Sequence, residues 1–281
     1  MGGVAKETKV DDVTGDKEKG ESTMKIRIDR DVLVEALGRA IKVVPRSPVL
    51  PVLICVRMYA ERDRLTLTTT DIERFLEIPL SVEVQEEGGI AVPAQRLYRL
   101  VKELPGGDLE IATQEERFTI RTESGVFELT GLDGENFPVP HVVEGERLPS
   151  IEGLRAALDA VSIAVSNDHT RNALCGVHLG FHDWGVAVEA TDGYILGQVK
   201  VIGEYESGDV ILARDTVTTL DADFTSMEVG ENVVRFEYGD GRIFTVRQLE
   251  GPYPVFEQVI RVDNDKCIVF RTVELQRVLR R

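Results

Sequence analysis

ATDGYILG, residues 190–197, closes the alternating strand VAVE (186–189) with a Thr-Asp-Gly turn, and a similar phrase, TTTDIERF at 68–75, closes an earlier alternating strand. Asp71 and Asp192 stand 121 positions apart, and laying the chain on itself at that shift aligns much more. DVLVEALGRAIKVV (31–44) falls on EGLRAALDAVSIAV (152–165), so that Leu33, Ala36 and Leu37 meet Leu154, Ala157 and Leu158 at helical spacing. With small register drifts that loops absorb, GIAVPAQRLYRL (89–100) meets DVILARDTVTTL (209–220), and ENFPVP (135–140) meets GPYPVF (251–256). At twice the shift, MKIRI (24–28) falls on KCIVF (266–270), and Leu33, Ala36 and Leu37 on Leu275, Val278 and Leu279. The chain stops inside that third helix pattern, a stump that cannot bury a helix face by itself.

Each unit divides again. A strand at 25–28, a helix over 31–44 and strands near 53–59, 64–70 and 75–84 are followed by a strand at 90–92, a helix over 94–104 and strands near 108–113, 117–122 and 126–130. The alternation in RLTLTTT, RFTIRTE and VFELTG, punctuated by Gly-Gly and Pro-Gly, predicts antiparallel sheets with one buried face. Two helices on sheets in every unit is an α+β architecture. The expected organisation is a tail (1–23), two complete domains (24–145 and 146–262) and the start of a truncated third (263–281).

Composition narrows the function. A 281-residue chain with 42% hydrophobic residues builds about two cores, and no apolar run or leader h-region is present, so a cytoplasmic location follows by default. Residues 1–23 lack periodic apolar positions and read as a disordered tail, with Met24 an alternative start. Cys55, Cys175 and Cys267 form no C-x-x-C pair and read as reduced, mostly buried small hydrophobes. His178 and His182 are four apart on a strand pattern, where that spacing does not converge on a metal. Phosphate-loop and nucleophile-elbow motifs are missing, and the repeat puts Asp71 and Asp192 at equivalent turns of separate domains rather than beside one substrate. The reading is of a protein without catalytic residues, metal or cofactor.

RSPVLPVLICV, TLTTTDIE, IAVPAQRLYRLVKELP, GLDGENFPVP, SNDHTRNALCGVHL, ATDGYILG and EGPYPVFEQVI follow one another in an order and spacing that resembles the bacterial DNA polymerase sliding clamp family, the beta subunit of the replicative polymerase. The resemblance runs from Met24 to about Ile260. It implies no enzyme activity. It implies a DNA clamp fold: a closed ring of six similar domains, sheets outside and helices around a hole for duplex DNA. The chains would join as a head-to-tail homo-oligomer, and replicative polymerase, clamp loader and repair proteins would dock through a short apolar peptide motif.

The net charge of −16 repels nucleic acid unless cations gather on one surface. Arg39, Lys42 and Arg46 lie at spacings of three and four opposite Leu33, Leu37 and Ile41, and Arg96, Arg99 and Lys102 recur every three residues beside Leu97, Leu100, Val101 and Leu104. These stripes are the expected DNA face, sequence-independent because no base-reading motif accompanies them. The second unit offers only Arg155 and Arg214, among Glu152, Asp159, Asp215, Asp221 and Asp223.

The partner cleft that the resemblance implies would be walled by Leu174, Thr191, Gly193, Tyr194, Leu196, Pro254 and Val259, with Asp192 holding the turn by accepting backbone N–H bonds. The family usually has His and Arg after ATDG, where this chain has Tyr194 and Ile195, and the wall from a third domain is missing. Two functions therefore stand at this stage. One is a processivity factor encircling DNA; the other is a non-encircling interaction protein or defective clamp fragment that binds clamp-interacting peptides. Because Arg281 falls inside a helix pattern, a fragment or shortened product is the favoured expectation over a complete two-domain clamp.

Overall fold

The computed structural model describes residues 23–48, 50–140, 143–260 and 265–280. The tail read over 1–23 lies, Thr23 apart, outside the described residues. The first half runs β1 (Lys25–Asp29), α1 (Arg30–Ala40), β2 (Cys55–Glu61), β3 (Arg64–Thr70), β4 (Arg74–Ser81), β5 (Glu83–Glu86), β6 (Gly88–Pro93), α2 (Ala94–Glu103), β7 (Asp108–Gln114), β8 (Arg117–Thr122) and β9 (Gly125–Thr130). The second half repeats that order without β5: β10 (Gly145–Pro149), α3 (Leu154–Val161), β11 (Gly176–His182), β12 (Gly185–Thr191), β13 (Leu196–Ile202), β14 (Gly208–Ala213), α4 (Arg214–Thr219), β15 (Phe224–Gly230), β16 (Val233–Tyr238) and β17 (Ile243–Arg247). A short helix α5 (Phe256–Val259) and an isolated helix α6 (Thr272–Leu279) follow.

Three antiparallel sheets result, ordered β5-β1-β7-β8-β9, β10-β15-β16-β17-β4-β3-β2-β6 and β13-β12-β11-β14. The central sheet is made of both halves. Its joint is the β17–β4 pair, with Phe244 opposite Leu76 and Val246 opposite Arg74. At the joint Phe244 and Val246 are 1% and 0% exposed. Their counterparts Phe127 and Leu129 on the open edge β9 are only partly buried, because β9 has β8 alone beside it. Strand β13, the counterpart of β4, is likewise an open edge.

Both helices of the first half bury the stripe that the 3.6-residue period assigned to the core. Leu33, Ala36 and Leu37 on α1, and Ala94, Leu97 and Val101 on α2, are at most 3% exposed. Asp29 caps α1 by accepting from the amides of Asp31 and Val32, and Arg30 crosses to the C-terminus of α2, donating to the Val101 and Lys102 carbonyls. The α1 helix ends at Ala40, short of the residue 44 expected from pattern. The chain turns there towards Pro45, and the Ala40 carbonyl accepts from buried Thr69 on β3.

Two other expectations change. Sheets with one buried face describe β8, but β12 is buried on both faces, because residues 248–256 fold over its outer side and Tyr253 reaches the carbonyls of Gly176 and Glu189. The segment 266–270, aligned with strand β1, forms no strand, since the ladder partners that β7 supplies to β1 have no counterpart here. Helix α6 forms but buries none of its residues. Of the cysteines only Cys55 is buried; Cys175 is half-buried and Cys267 exposed. Among the described residues no helix is long and apolar enough to cross a membrane.

Candidate functional site

The two basic stripes diverge in the folded chain. On α2, Arg96, Arg99 and Lys102 are exposed, and among the described residues none of the three makes an ion pair; Lys102 lies 5.8 Å from the centre of the Tyr98 ring. On α1, Arg39 is drawn sideways, donating to Asp221 at 2.8 Å and to Glu35 at 3.2 Å, and Lys42 reaches Asp221 at 3.5 Å. Arg46 beyond the helix is exposed. Arg155 donates to the carbonyls of Val217 and Leu220 at 2.7 and 3.0 Å, as well as to Asp159, and so caps α4. Arg214 is turned towards Asn167 and the carbonyls of Val165 and Ser166. Of the eight cations expected to face DNA, those without an ion pair or carbonyl partner among the described residues are thus the three of α2 and Arg46, all from the first half.

Asp221 organises a cluster that sequence spacing did not reveal. Arg242, 3% exposed, donates to Asp221, Asp240 and Asp223 at 2.6, 2.6 and 3.0 Å and stacks 4.2 Å from the Tyr238 ring centre. Asp221 therefore holds Arg242 of its own half and Arg39 and Lys42 of the other. Burial alone would raise its carboxyl, but the Arg242 hydrogen bond and the Lys42 and Arg39 charges outweigh that and hold it below the usual range. The sequence did mark Asp221 and Asp223 as acidic residues near the expected DNA face; their partners were the hidden part.

At the opening motif, the structure places Thr191 at the end of β12, 7% exposed, where its hydroxyl donates to the Ile195 carbonyl and accepts from the Gly193 amide. Asp192 accepts from the amides of Tyr194 and Ile195 at 2.8 and 2.9 Å, as its turn role requires, and these bonds hold its carboxyl below the usual range. Gly193 has φ of 93°, where a side chain is strained. Arg171 donates to the Asp192 carbonyl and tethers the turn to the 3-10 turn Asn172–Cys175, which carries Leu174.

The turn therefore presents its apolar residues outward: Tyr194 is 94%, Ile195 48% and Leu196 37% exposed. The segment before α5 comes to the same region. Gly251 lies against Ala173, Tyr253 reaches Gly176 and Glu189, and Pro254 and Val259 follow, both exposed. Of the seven wall residues, Leu174 and Thr191 are buried supports and the other five are open.

Comparison with known proteins bears on both surfaces. Residues 24–141 match the family described as DNA polymerase III beta subunit, N-terminal domain, and residues 150–255 match its central domain. A beta sliding clamp from Synechocystis sp. is 32% identical over 274 residues, covering 84% of this chain and 69% of the relative. The chain belongs to the beta sliding clamp family. Solved clamps share the fold. The clamp from Bartonella birtlesii bound to griselimycin superposes with a TM-score of 0.80 at 29% identity, over 86% of this chain and 69% of that one. The clamp from Bacillus subtilis gives a TM-score of 0.78 at 27% identity, over 86% and 69%. Beta sliding clamps are processivity factors of DNA polymerase and not enzymes, so the site of interest on this clamp is a surface for partners rather than a reaction centre.

Proposed function

We propose that this clamp joins further clamp domains through the open edge strands β9 and β13, encircles duplex DNA, and docks polymerase and other partners through a short apolar peptide at the ATDGYILG turn. In this reading residues 24–145 and 146–262 are two clamp domains and 263–281 opens a third. The observation that carries it is the β17–β4 joint: the same two strand positions recur as the unpaired edges β9 and β13, so the contact that links the halves head to tail can be repeated outside the chain. Four register pairs make that joint, and Phe127 and Leu129 on β9 stand ready to be covered as Phe244 and Val246 are.

The exposed cations of α2 supply phosphate contacts without base readout, which suits a ring that slides. Arg39 and Lys42, shared with Asp221, contribute less. At the cleft, Tyr194, Leu196, Pro254 and Val259 are open and apolar while Leu174 and Thr191 are buried, and the Bartonella relative was solved with griselimycin bound. Retention on nicked circular DNA, with release on linearisation, is the expected result. Equal retention on both forms, together with a monomeric mass in solution, would overturn encirclement. For the cleft, calorimetry with griselimycin should give saturable binding that Leu196→Glu abolishes, and unchanged binding by that variant would remove the turn from the site.

A further inference from the structure

Behind the cleft, on the outer face of the β13-β12-β11-β14 sheet, lies a cavity of about 470 Å³ roofed by residues 248–256. His178 of β11 lines it, with a side chain 13% exposed. Its Nδ1 faces Glu189 of β12 at 3.0 Å and its Nε2 faces Asp209 of β14 at 2.8 Å. The ring stacks on Tyr253 of the roof, centroids 4.8 Å apart and planes 12° from parallel. Gln198 of β13 donates to the other Glu189 oxygen, and His182, on the same strand as His178, stacks separately on Trp184 beneath Lys200. Both walls of the cleft start from this cluster: Glu189 is two residues before Thr191, and Tyr253 directly precedes Pro254.

The fold does not require such a group. In the first half the equivalent strand pair puts Arg57 opposite Thr68, where the second half has His178 opposite Glu189, and the covering aromatic is Phe137 rather than Tyr253. The first half thus covers the same position with an always-charged arginine, Arg57, near Glu77, and with no histidine.

We propose that His178 is a positioning residue for the partner cleft: through Glu189 and Tyr253 it sets the distance between the Thr191–Leu196 turn and the Pro254–Val259 wall, so that peptide affinity depends on its charge. The inference rests on the reading of that turn as the docking site. A protonated imidazole donates to both carboxylates; a neutral one can donate to only one, leaving Asp209 facing a lone pair and the ring free to tilt against Tyr253. Burial pushes the imidazole down, but the bonds to Glu189 and Asp209 overcome it and leave it above its ordinary value. Of the groups facing it, Tyr253 is itself pushed up by burial and stays neutral.

The test is griselimycin affinity by calorimetry from pH 6 to pH 9 on the whole chain. The wild-type protein is expected to bind about fivefold more weakly at the alkaline end, a modest coupling. His178→Gln should bind at the weak level throughout, with its pH profile flat. Asp209→Asn, at a side chain 78% exposed and so safe for folding, should move the midpoint of the profile to lower pH. His182→Gln should leave the profile unchanged. A pH-independent wild-type affinity, a profile that persists in His178→Gln, or a midpoint unmoved by Asp209→Asn overturns the proposal. If griselimycin does not bind at any pH, the cleft reading itself has failed, which is a different result.

Discussion

Replacing Arg74 by Met should uncouple the two halves of the chain. Arg74 opens β4 at the joint, and its guanidinium donates to Asp71 from Nε and Nη2 at 2.9 and 2.6 Å. Its Nη1 reaches across to α4, donating to the Asp215 carbonyl at 3.0 Å and the Thr219 hydroxyl at 2.9 Å. The two charged side chains are 12% and 17% exposed. Methionine keeps the aliphatic volume, removes all four side-chain bonds and leaves Asp71 with the Arg74 amide alone. Removing one partner of a buried pair costs about 3–5 kcal/mol, and the remaining water access puts this case near about 3 kcal/mol. Urea unfolding, followed by far-UV circular dichroism and by the single Trp184, measures it. Asp71→Asn combined with Arg74→Met removes the unpaired charge and should recover about 1–2 kcal/mol relative to the sum of the single variants. A change under about 1 kcal/mol for Arg74→Met, or strict additivity in the double variant, would refute the claim that this clasp holds the halves together.

Asp221 has its carboxyl held below the usual range, so its contribution is present above about pH 4 and is lost as pH falls through its lowered folded value. Asp221→Asn should therefore flatten the loss of urea stability as the pH falls below about 4, and an unchanged acid slope would count against the cluster. Gly193→Ala forces a side chain into a left-handed backbone with its Cβ 2.9 Å from the Arg171 guanidinium. It should cost about 1 kcal/mol, release Arg171 from the Asp192 carbonyl and weaken griselimycin binding in calorimetry. Thiol titration with a disulfide reagent should find one fast cysteine, Cys267, one slower, Cys175, and one silent until unfolding, Cys55, whose thiol burial pushes up to about 11.

Much of this protein was legible before folding because the signals are local. The 121-residue repeat, the order of strand and helix in each unit and the buried stripes of α1 and α2 all follow from periods of two and 3.6 residues. The role of Asp192 was readable for the same reason, since a carboxylate that caps the next two or three amides needs no distant partner. What pattern alone missed is set by contacts between residues far apart in the chain. Arg39 looks like a free cation until Asp221, 182 residues later, is brought beside it, and Arg242 is silent in sequence because its three aspartates meet it only after β15, β16 and the following turn close.

The same distance hid His178. Read as a strand histidine without a metal, it acquires Glu189 from the next strand, Asp209 from the strand on its other side and Tyr253 from a segment that folds back over the sheet. Sequence alone determined the family, the repeat and the turn, because backbone preference and hydrophobic period act over a few residues. The tertiary structure alone decided which cations stay free, which edges stay open and what stands behind the cleft, because charge pairing and strand pairing depend on proximity in space.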